Sequence, residues 1–421
     1  MSDDLVVGLD IGTSKVCAII AEINESGALE ITGVGVSPST GLRKGVVVNI
    51  EAVIGSVTAA IEAAEMMSGR VVENCWVSIG GGHIESLISH GQASVLTVRN
   101  NQREVGRDDI ERALEIAKAL KFGTDRQILD VIPQVYSLDG QPGIRNPLGM
   151  IGVRIECDAN IVTCSITSAQ NLVKCVNRAG FHVEGLILQT LAAGRAVLTQ
   201  EEKDLGCALI DLGGGTTNML VYHQGAACVT ASVPAGGAQV SADISIVKNV
   251  SAETAEKIKI EDGCCWDALL EPGDDIIVPG MGGRSPFPVP RAEICAIIRA
   301  RMEEIFLMVK EKLAHLTGGK PLGAGIILTG GGAKLLGAAD MASSIFHMPV
   351  RVGVPLPVPG ITGEFRDSLY AAAVGLVLEA RDRTADRGAS AGSAPAPVEK
   401  TREPFFGIFS KLRNWIRNEF F

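Results

Sequence analysis

The sequence predicts an α/β protein of two similar lobes facing each other across a cleft, and three observations carry that reading. An apolar strand, an aspartate at its end, a Gly/Thr/Ser turn and an apolar return strand occur twice, as LVVGLDIGTSKVCAII (Leu5 to Ile20) and CALIDLGGGTTNMLVY (Cys207 to Tyr222). A duplication of this kind organises a whole fold. A third Gly turn follows another apolar strand in AGIILTGGGAKLLGAADMA (Ala324 to Ala342). The composition agrees: 46% apolar, 49 glycines and only 4% aromatic residues are typical of a Gly-turned, Val/Ile/Ala-rich α/β chain. A length of 421 residues allows two or three domains with sizeable cores.

Taken in order, Leu5 to Ile11, Val16 to Ile23 and Leu29 to Val36 are apolar β-rich runs separated by turn residues, which predicts an antiparallel meander. Ala52 to Met67 repeats apolar residues at helical spacing and stops at Gly69, and Asn74 to Ile79 returns to strand character. The grammar then changes. Two short strands, a helix from Arg107 to Lys121 with an acidic first turn, and strands near Gln127 to Leu138 and Met150 to Val162 read as an inserted subdomain. Helices at Ser168 to Arg178 and Leu191 to Thr199 flank a strand at Val183 to Leu188 and lead into the second hairpin. Helices follow at Gln239 to Val247, Ala252 to Glu261 and Ala292 to Leu316, with a last core helix at Asp367 to Leu378. These readings divide the chain into lobe 1 (1–82 and 164–204), the insert (83–163), lobe 2 (205–379), a Pro/Ala/charge-rich linker (380–404) and a terminal helix (405–421).

Charge and cysteine usage exclude whole classes. With 48 acidic and 38 basic residues the net charge is −10, which argues against nucleic acid as a partner. The ten cysteines sit mostly in apolar runs and never as Cys-x-x-Cys, so they read as reduced core thiols of a cytosolic protein. The start, MSDD, lacks the positive region of a secretory signal, and no run of 18 apolar residues predicts a spanning helix.

The chemistry is expected in the turns. Asp10 and Asp211 each end a buried strand before a Gly-rich turn, so two carboxylates and two sets of backbone amides are placed to share one cleft. Turn amides bind anions without a full charge, and a pair of carboxylates suits hydrated Mg²⁺ bridging phosphates. Lys15 is either a phosphate-reaching ammonium or a solvated hairpin lysine. Gln189, where a strand enters a helix, either orients an attacking water or is a polar helix start. Gly330, Gly331 and Gly332 let a flat purine approach the backbone. Glu256 and Lys259 lie three apart on one helix face, as a ribose grip or as a plain ion pair.

The ordered set LDIGTSK, LILQTLAAG (Leu186 to Gly194), IDLGGGTTN (Ile210 to Asn218), AGIILTGGG and SLYAAAVGLVL (Ser368 to Leu378) resembles the five nucleotide-site motifs of the actin, sugar-kinase and heat-shock-chaperone ATPase superfamily, whose lobes are duplicated ribonuclease-H-like units. Within it, VIPQVYSLDGQPGIRNPLGMIGVRIE (Val131 to Glu156) is similar to the subdomain peculiar to the bacterial FtsA family. The resemblance implies an actin-like two-lobed ATPase fold with an FtsA-type insert, ATP and Mg²⁺ as ligands, and at most weak ATPase activity. It implies Asp10 and Asp211 as Mg²⁺ ligands, with Gln189 and Asp211 in catalytic positions. Thr13, Ser14, Lys15 and Gly213, Gly214, Gly215, Thr216 and Thr217 would hold the phosphates, and Glu256, Lys259 and Gly330 to Gly332 the nucleoside. Gly12, Gly236, Gly237 and Lys334 complete the candidate nucleotide site.

The last segment, PFFGIFSKLRNWIRNEFF, places Phe405, Ile408, Phe409, Leu412, Trp415, Ile416 and Phe420 on one helix face, opposite Lys411 and Arg417. Phe406 and Arg413 complete the candidate membrane set. At 1.5 Å per residue it would reach only about 25 Å, so it is expected to lie in the interface of anionic lipid rather than cross it. The resemblance adds the same membrane-targeting helix, the cytoplasmic face of the membrane at the division site, self-assembly, and the FtsZ C-terminal tail as a partner. Arg299 and Arg301 are the candidates to meet that tail, and other division proteins are expected on the insert. A sugar kinase or a pilus-assembly ATPase on the same fold is the alternative.

Overall fold

The computed structural model describes residues 5–24, 27–95, 103–271, 273–279 and 285–392. Lobe 1 opens on the expected meander, in which β1 (Leu5–Ile11), β2 (Lys15–Ile23) and β3 (Leu29–Pro38) pair antiparallel. A small hairpin of β4 (Leu42–Arg43) and β5 (Val46–Val47) leads to α1 (Ile50–Ser68). The Asn49 side chain caps the start of α1, and Gly69, at φ 70°, ends it in the left-handed conformation glycine tolerates. β6 (Asn74–Ile79) then returns parallel to β1.

The insert follows as β7 (Glu85–Ser94), α2 (Arg107–Lys118), β8 (Arg126–Leu138), β9 (Gln141–Ile144) and β10 (Arg154–Ser165), with strand order β7-β10-β8-β9. Before α2 the described residues hold one long strand, where the sequence predicts two short ones. α2 also stops three residues early, closed by a tight Ala119 N–H to Ile116 carbonyl bond. Lobe 1 resumes with α3 (Ile166–Arg178), β11 (His182–Leu188), α4 (Gln189–Val197) and α5 (Gln200–Leu205). The sequence reading missed α5, although Thr199 and Glu202 form the capping box that starts it.

Lobe 2 repeats the plan: β12 (Cys207–Leu212), β13 (Thr217–His223) and β14 (Ala226–Val233) form a meander, and α6 (Gly237–Lys248) and α7 (Ala252–Glu261) follow. Next come a hairpin of β15 (Asp275–Val278) and β16 (Phe287–Pro290), then α8 (Arg291–Thr317), β17 (Ile326–Thr329), α9 (Ala338–Phe346) and β18 (Val350–Val352). The two sheets have equivalent orders, β3-β2-β1-β6-β11 and β14-β13-β12-β17-β18. Each has three antiparallel meander strands followed by two parallel ones.

Strand alternation decides the packing. Val16, Ala18 and Ile20 of β2 face lobe 1's own core with α1 and α3, while Cys17, Ile19 and Ala21 face a shared core. In β12, Ala208, Ile210 and Leu212 face the lobe 2 helices, and Cys207 and Leu209 face the same shared core. That shared core is filled by α4 and by α10 (Ala371–Gly392). A Cβ placed on Gly375 of α10 would lie 1.6 Å from the Ala192 carbonyl oxygen of α4, so only glycine permits this approach. α10 runs past the expected end at Leu378, because the first part of the expected linker (ARDRTADR) is rich in alanine and arginine and free of glycine and proline. The remaining linker and the amphipathic segment 405–421 lie outside the described residues. The insert also braces lobe 2's edge strand. Ser86 Oγ accepts from Thr230 N–H and donates to its carbonyl, both at 3.0 Å, and Gln134 and Asn160 both donate to the Ala227 carbonyl.

Candidate functional site

The duplication extends to single hydrogen bonds. Asp10 pairs across its hairpin with Cys17, and Asp211 with Asn218, seven residues on in each case. Gly12 N–H donates to the Lys15 carbonyl at 2.9 Å and Gly213 N–H to the Thr216 carbonyl at 3.0 Å, again at equivalent positions. Both aspartates are buried, and both open onto one cavity of about 450 Å³. Its walls contain Gly12 to Lys15, Gln189, Gly213 to Thr216, Gly236, Gly237, Glu256, Lys259, Gly330 to Gly332 and Lys334.

The first hairpin is electrostatically complete. Asp10 Oδ1 accepts from Ser78 Oγ at 2.7 Å and, at 3.5 Å, from Gln189 Nε2, while Lys15 Nζ lies 3.6 Å from Oδ2. Burial alone would lower the Lys15 pKa, but Asp10, Cys17, Tyr370 and Asp211 together carry it above its ordinary value. Lys15 also sits over the Tyr370 ring, 5.1 Å from its centroid. It is therefore a held cavity lysine and not a solvated one. Gln189 Oε1 accepts from Asn218 Nδ2 at 3.5 Å, so the glutamine side chain bridges the two hairpins. Its position at the start of α4 follows from the β11–α4 junction.

The second hairpin is different. The Asp211 carboxylate has no hydrogen-bond or ion-pair partner among the described residues, and burial first, then Asp10, pushes its pKa up to about 7. Its backbone is braced instead by the start of α6. Gly237 N–H donates to the Gly213 carbonyl at 2.9 Å and Ala238 N–H to the Gly214 carbonyl at 2.7 Å. The hairpin tips meet: a Cβ on Gly214 would lie 1.9 Å from Ser14 Oγ. Gly330, at φ 81°, lets the third turn pass Asp211, since a Cβ there would lie 2.2 Å from its Oδ1.

Thr217 is the one candidate nucleotide residue that does not face the cavity. It is fully buried and its Oγ1 donates to the Ala235 carbonyl at 2.9 Å, because strand alternation turns it away from the side that Thr216 faces. Lys259 Nζ lies 2.7 Å from both oxygens of Glu256 and 3.3 Å from the Gly237 carbonyl, so this pair ties α7 to the start of α6 at the cavity wall. Lys334 pairs with Asp367 at 2.5 Å. Sequence reasoning missed Ser78, Asn218 and His83. The internal alignment could have found Asn218, which stands where the first hairpin has Cys17, and Ser78 is the lone hydroxyl of β6.

The residues present fit a nucleotide with Mg²⁺. Among the described residues there is no cluster of three or more His, Cys, Asp or Glu that would cage a metal. Two buried carboxylates suit an ion that keeps water and phosphate oxygens as its other ligands. The glycine tips let the two hairpins meet at the cavity with no Cβ between them.

Comparisons with known proteins agree with the fold and decide the family. Residues 208–375 match the family described as "Cell division protein FtsA", and residues 81–163 the "SHS2 domain inserted in FTSA". The chain is 41% identical to the cell division protein FtsA of Pseudomonas aeruginosa, covering 100% of this chain and 99% of that one. It is 40% identical to that of Borreliella burgdorferi, covering 100% of both. The chain belongs to the FtsA family of cell division proteins. Among solved structures, the PilM–PilN type IV pilus biogenesis complex superposes with a TM-score of 0.63 at 14% identity, covering 89% of this chain and 98% of that one. MreB5 of Spiroplasma citri bound to ADP does so with a TM-score of 0.55 at 15% identity, covering 92% and 99%. At such identities the likeness is one of fold alone, the actin-like fold.

For this FtsA-family chain the two candidate partner-binding arginines are already engaged. Arg301 is held by Asp243 at 2.6 and 3.0 Å and also by Glu304, and Arg299 pairs with Asp267. All ten cysteines are buried free thiols. Among the described residues no helix is long and apolar enough to cross a membrane.

Proposed function

We propose that this FtsA-family chain is a nucleotide-dependent scaffold. It binds ATP·Mg²⁺ between its lobes, assembles with copies of itself on the cytoplasmic face of the membrane, and tethers FtsZ filaments there during division. The observation that supports this most strongly is the convergence of Asp10 and Asp211, from equivalent hairpins, on one cavity. In this reading the amides of Thr13, Ser14, Gly214 and Gly215 cradle the phosphates and Lys15 neutralises them, while the Gly12 and Gly213 amides close the two turns. Asp10 and Asp211 would hold the metal, and Glu256, Lys259 and Gly330 to Gly332 would flank the nucleoside. Mg²⁺, when bound, would supply the second positive charge that two buried carboxylates need beyond that of Lys15. Gln189, which spans Asp10 and Asn218, would orient a water, and the weak ATPase activity is what the family resemblance implies. The FtsZ tail, an acidic peptide, is proposed to meet lobe 2 at Arg299 and Arg301, exchanging with Asp267, Asp243 and Glu304.

Segment 405–421 supplies the lipid contact through Phe405, Phe409, Trp415 and Phe420, with Lys411, Arg413 and Arg417 toward anionic headgroups. Vesicle flotation tests this half. The full chain is expected to float with anionic liposomes, and truncation after Glu403 or Trp415→Glu is expected to leave it at the bottom of the gradient. Undiminished flotation of either variant removes the anchor. Calorimetric titration with ATP and Mg²⁺ tests the other half, and absence of any binding removes the nucleotide reading.

A further inference from the structure

His83 lies in the turn joining β6 to β7, directly after Gly80, Gly81 and Gly82, and lines the same cavity as Asp10 and Gln189. Both ring nitrogens are shielded from water, and neither has a hydrogen-bond partner among the described residues. Its backbone carbonyl accepts from Arg126 at 3.1 Å, which pins the main chain and leaves the side chain as the part that can turn. A half-buried imidazole whose two nitrogens are both shielded and unpartnered is rare enough in folded proteins to need a reason.

The surroundings supply one. A Cβ on Gly80 would lie 2.5 Å from Gln189 Oε1, so the turn is next to the residue that contacts Asp10. Gly81, at φ 115°, packs against the β4–β5 turn, and that turn reaches lobe 2, where a Cβ on Gly215 would lie 2.7 Å from Thr13 Oγ1 and 3.1 Å from the Lys44 amide. His83 thus stands on the lobe 1 wall where the two hairpin tips meet, whereas Glu256 and Lys259 stand on the lobe 2 wall. A polyphosphate whose nucleoside is held at the lobe 2 wall and whose middle lies between the tips ends beside Gln189 and His83.

We propose that His83 donates a hydrogen bond to the terminal phosphoryl group of a bound nucleoside triphosphate and so makes the cleft discriminate triphosphate from diphosphate. This deepens the nucleotide reading above and rests on it. The imidazole keeps an N–H donor in either protonation state. It reaches the phosphoryl oxygens by rotating about its side-chain bonds into the cavity its ring already borders, while Arg126 holds the main chain. A diphosphate, one phosphoryl group shorter, leaves the imidazole as it stands.

The test is titration of the full chain with ADP, ATP and a non-hydrolysable ATP analogue, each with Mg²⁺. His83→Ala is expected to weaken both triphosphates by about ten- to a hundredfold while ADP affinity stays unchanged, the size of a lost hydrogen bond to a charged acceptor. His83→Phe, which keeps a ring in the turn but has no donor, is expected to show the same selective loss, and His83→Gln to recover part of it. Unchanged triphosphate affinity, an equal loss for ADP and ATP, or a loss in the Ala variant that Phe restores would each overturn the assignment. Unchanged ADP affinity shows that a variant is folded. If the unsubstituted chain bound neither ADP nor ATP, the nucleotide reading itself would fail, and this inference with it. ADP binding without triphosphate selectivity in that chain would overturn His83 alone.

Discussion

The two hairpins share a backbone and an aspartate and differ in what surrounds that aspartate. Their registers and turn hydrogen bonds match position for position, yet Asp10 sits among Ser78, Gln189 and Lys15 while Asp211 is buried beside another carboxylate with no partner of its own. The braces differ too. The first turn is tied back by one bond, Ser39 N–H to the Ser14 carbonyl at 3.1 Å, and the second by two amides at the start of α6. One carboxylate is thus partnered within the protein, and the other is left for the cation of the nucleotide reading proposed above. A duplicated fold has divided the work of holding and of receiving charge.

That division can be broken most directly at Asp211. Asp211→Ala is expected to abolish Mg²⁺-dependent ATP binding, a loss of more than about a hundredfold in calorimetric titration, with the fold intact. The aspartates should also respond oppositely to isosteric neutralisation in the ligand-free protein. Asp10→Asn leaves Lys15 buried without its counter-charge and is expected to cost about 3 kcal/mol in denaturant unfolding. Asp211→Asn is expected to stabilise, and pH sharpens the point. Because the folded pKa of Asp211 is raised to about 7, its favourable contribution is complete at acid pH and is lost as pH climbs through that value. The Asn variant should therefore flatten the fall in ligand-free melting temperature between about pH 5 and pH 7.5, and equal slopes would remove the asymmetry.

Smaller effects probe the braces. Gly236→Ala places a Cβ 2.4 Å from the Gly213 carbonyl and 2.9 Å from that of Gly214, so it is expected to push the second hairpin away from α6 and cost about 1–3 kcal/mol. The insert's hold on β14 should be worth least. Ser86→Ala removes both bonds to Thr230 and is expected to lower stability by about 1 kcal/mol in the same unfolding measurement.

Much of this architecture is legible in the sequence because it rests on local rules. Strand alternation, glycine stops and the Asp-turn repeat locate β1, β2, β6, β12 and α7 to within a residue or two of their ends. What escapes is set by tertiary contact. The hairpin of β15 and β16, the strand β18 and the edge strand β14 carry too few residues or too irregular a pattern to stand out. In the site, Asp10, Lys15, Gln189 and the glycines are visible as a motif, but the bond from Ser78, the shielded ring nitrogens of His83 and the turning away of Thr217 depend on which strands become neighbours. The ion pairs that occupy Arg299 and Arg301 likewise join residues far apart in the chain, Asp267 from the segment after α7 and Asp243 from α6.

The seat of α10 on α4 has a mechanical consequence. At Gly375 and Ala192 the two helices touch backbone to backbone, with no side chain to interlock, while Val374, Leu376 and Val377 pack in the core shared by both sheets. A smooth crossing inside a common core is the geometry of a door pin. Under the nucleotide reading proposed above, a ligand that drew the hairpin tips together would swing the halves about that rod instead of sliding them.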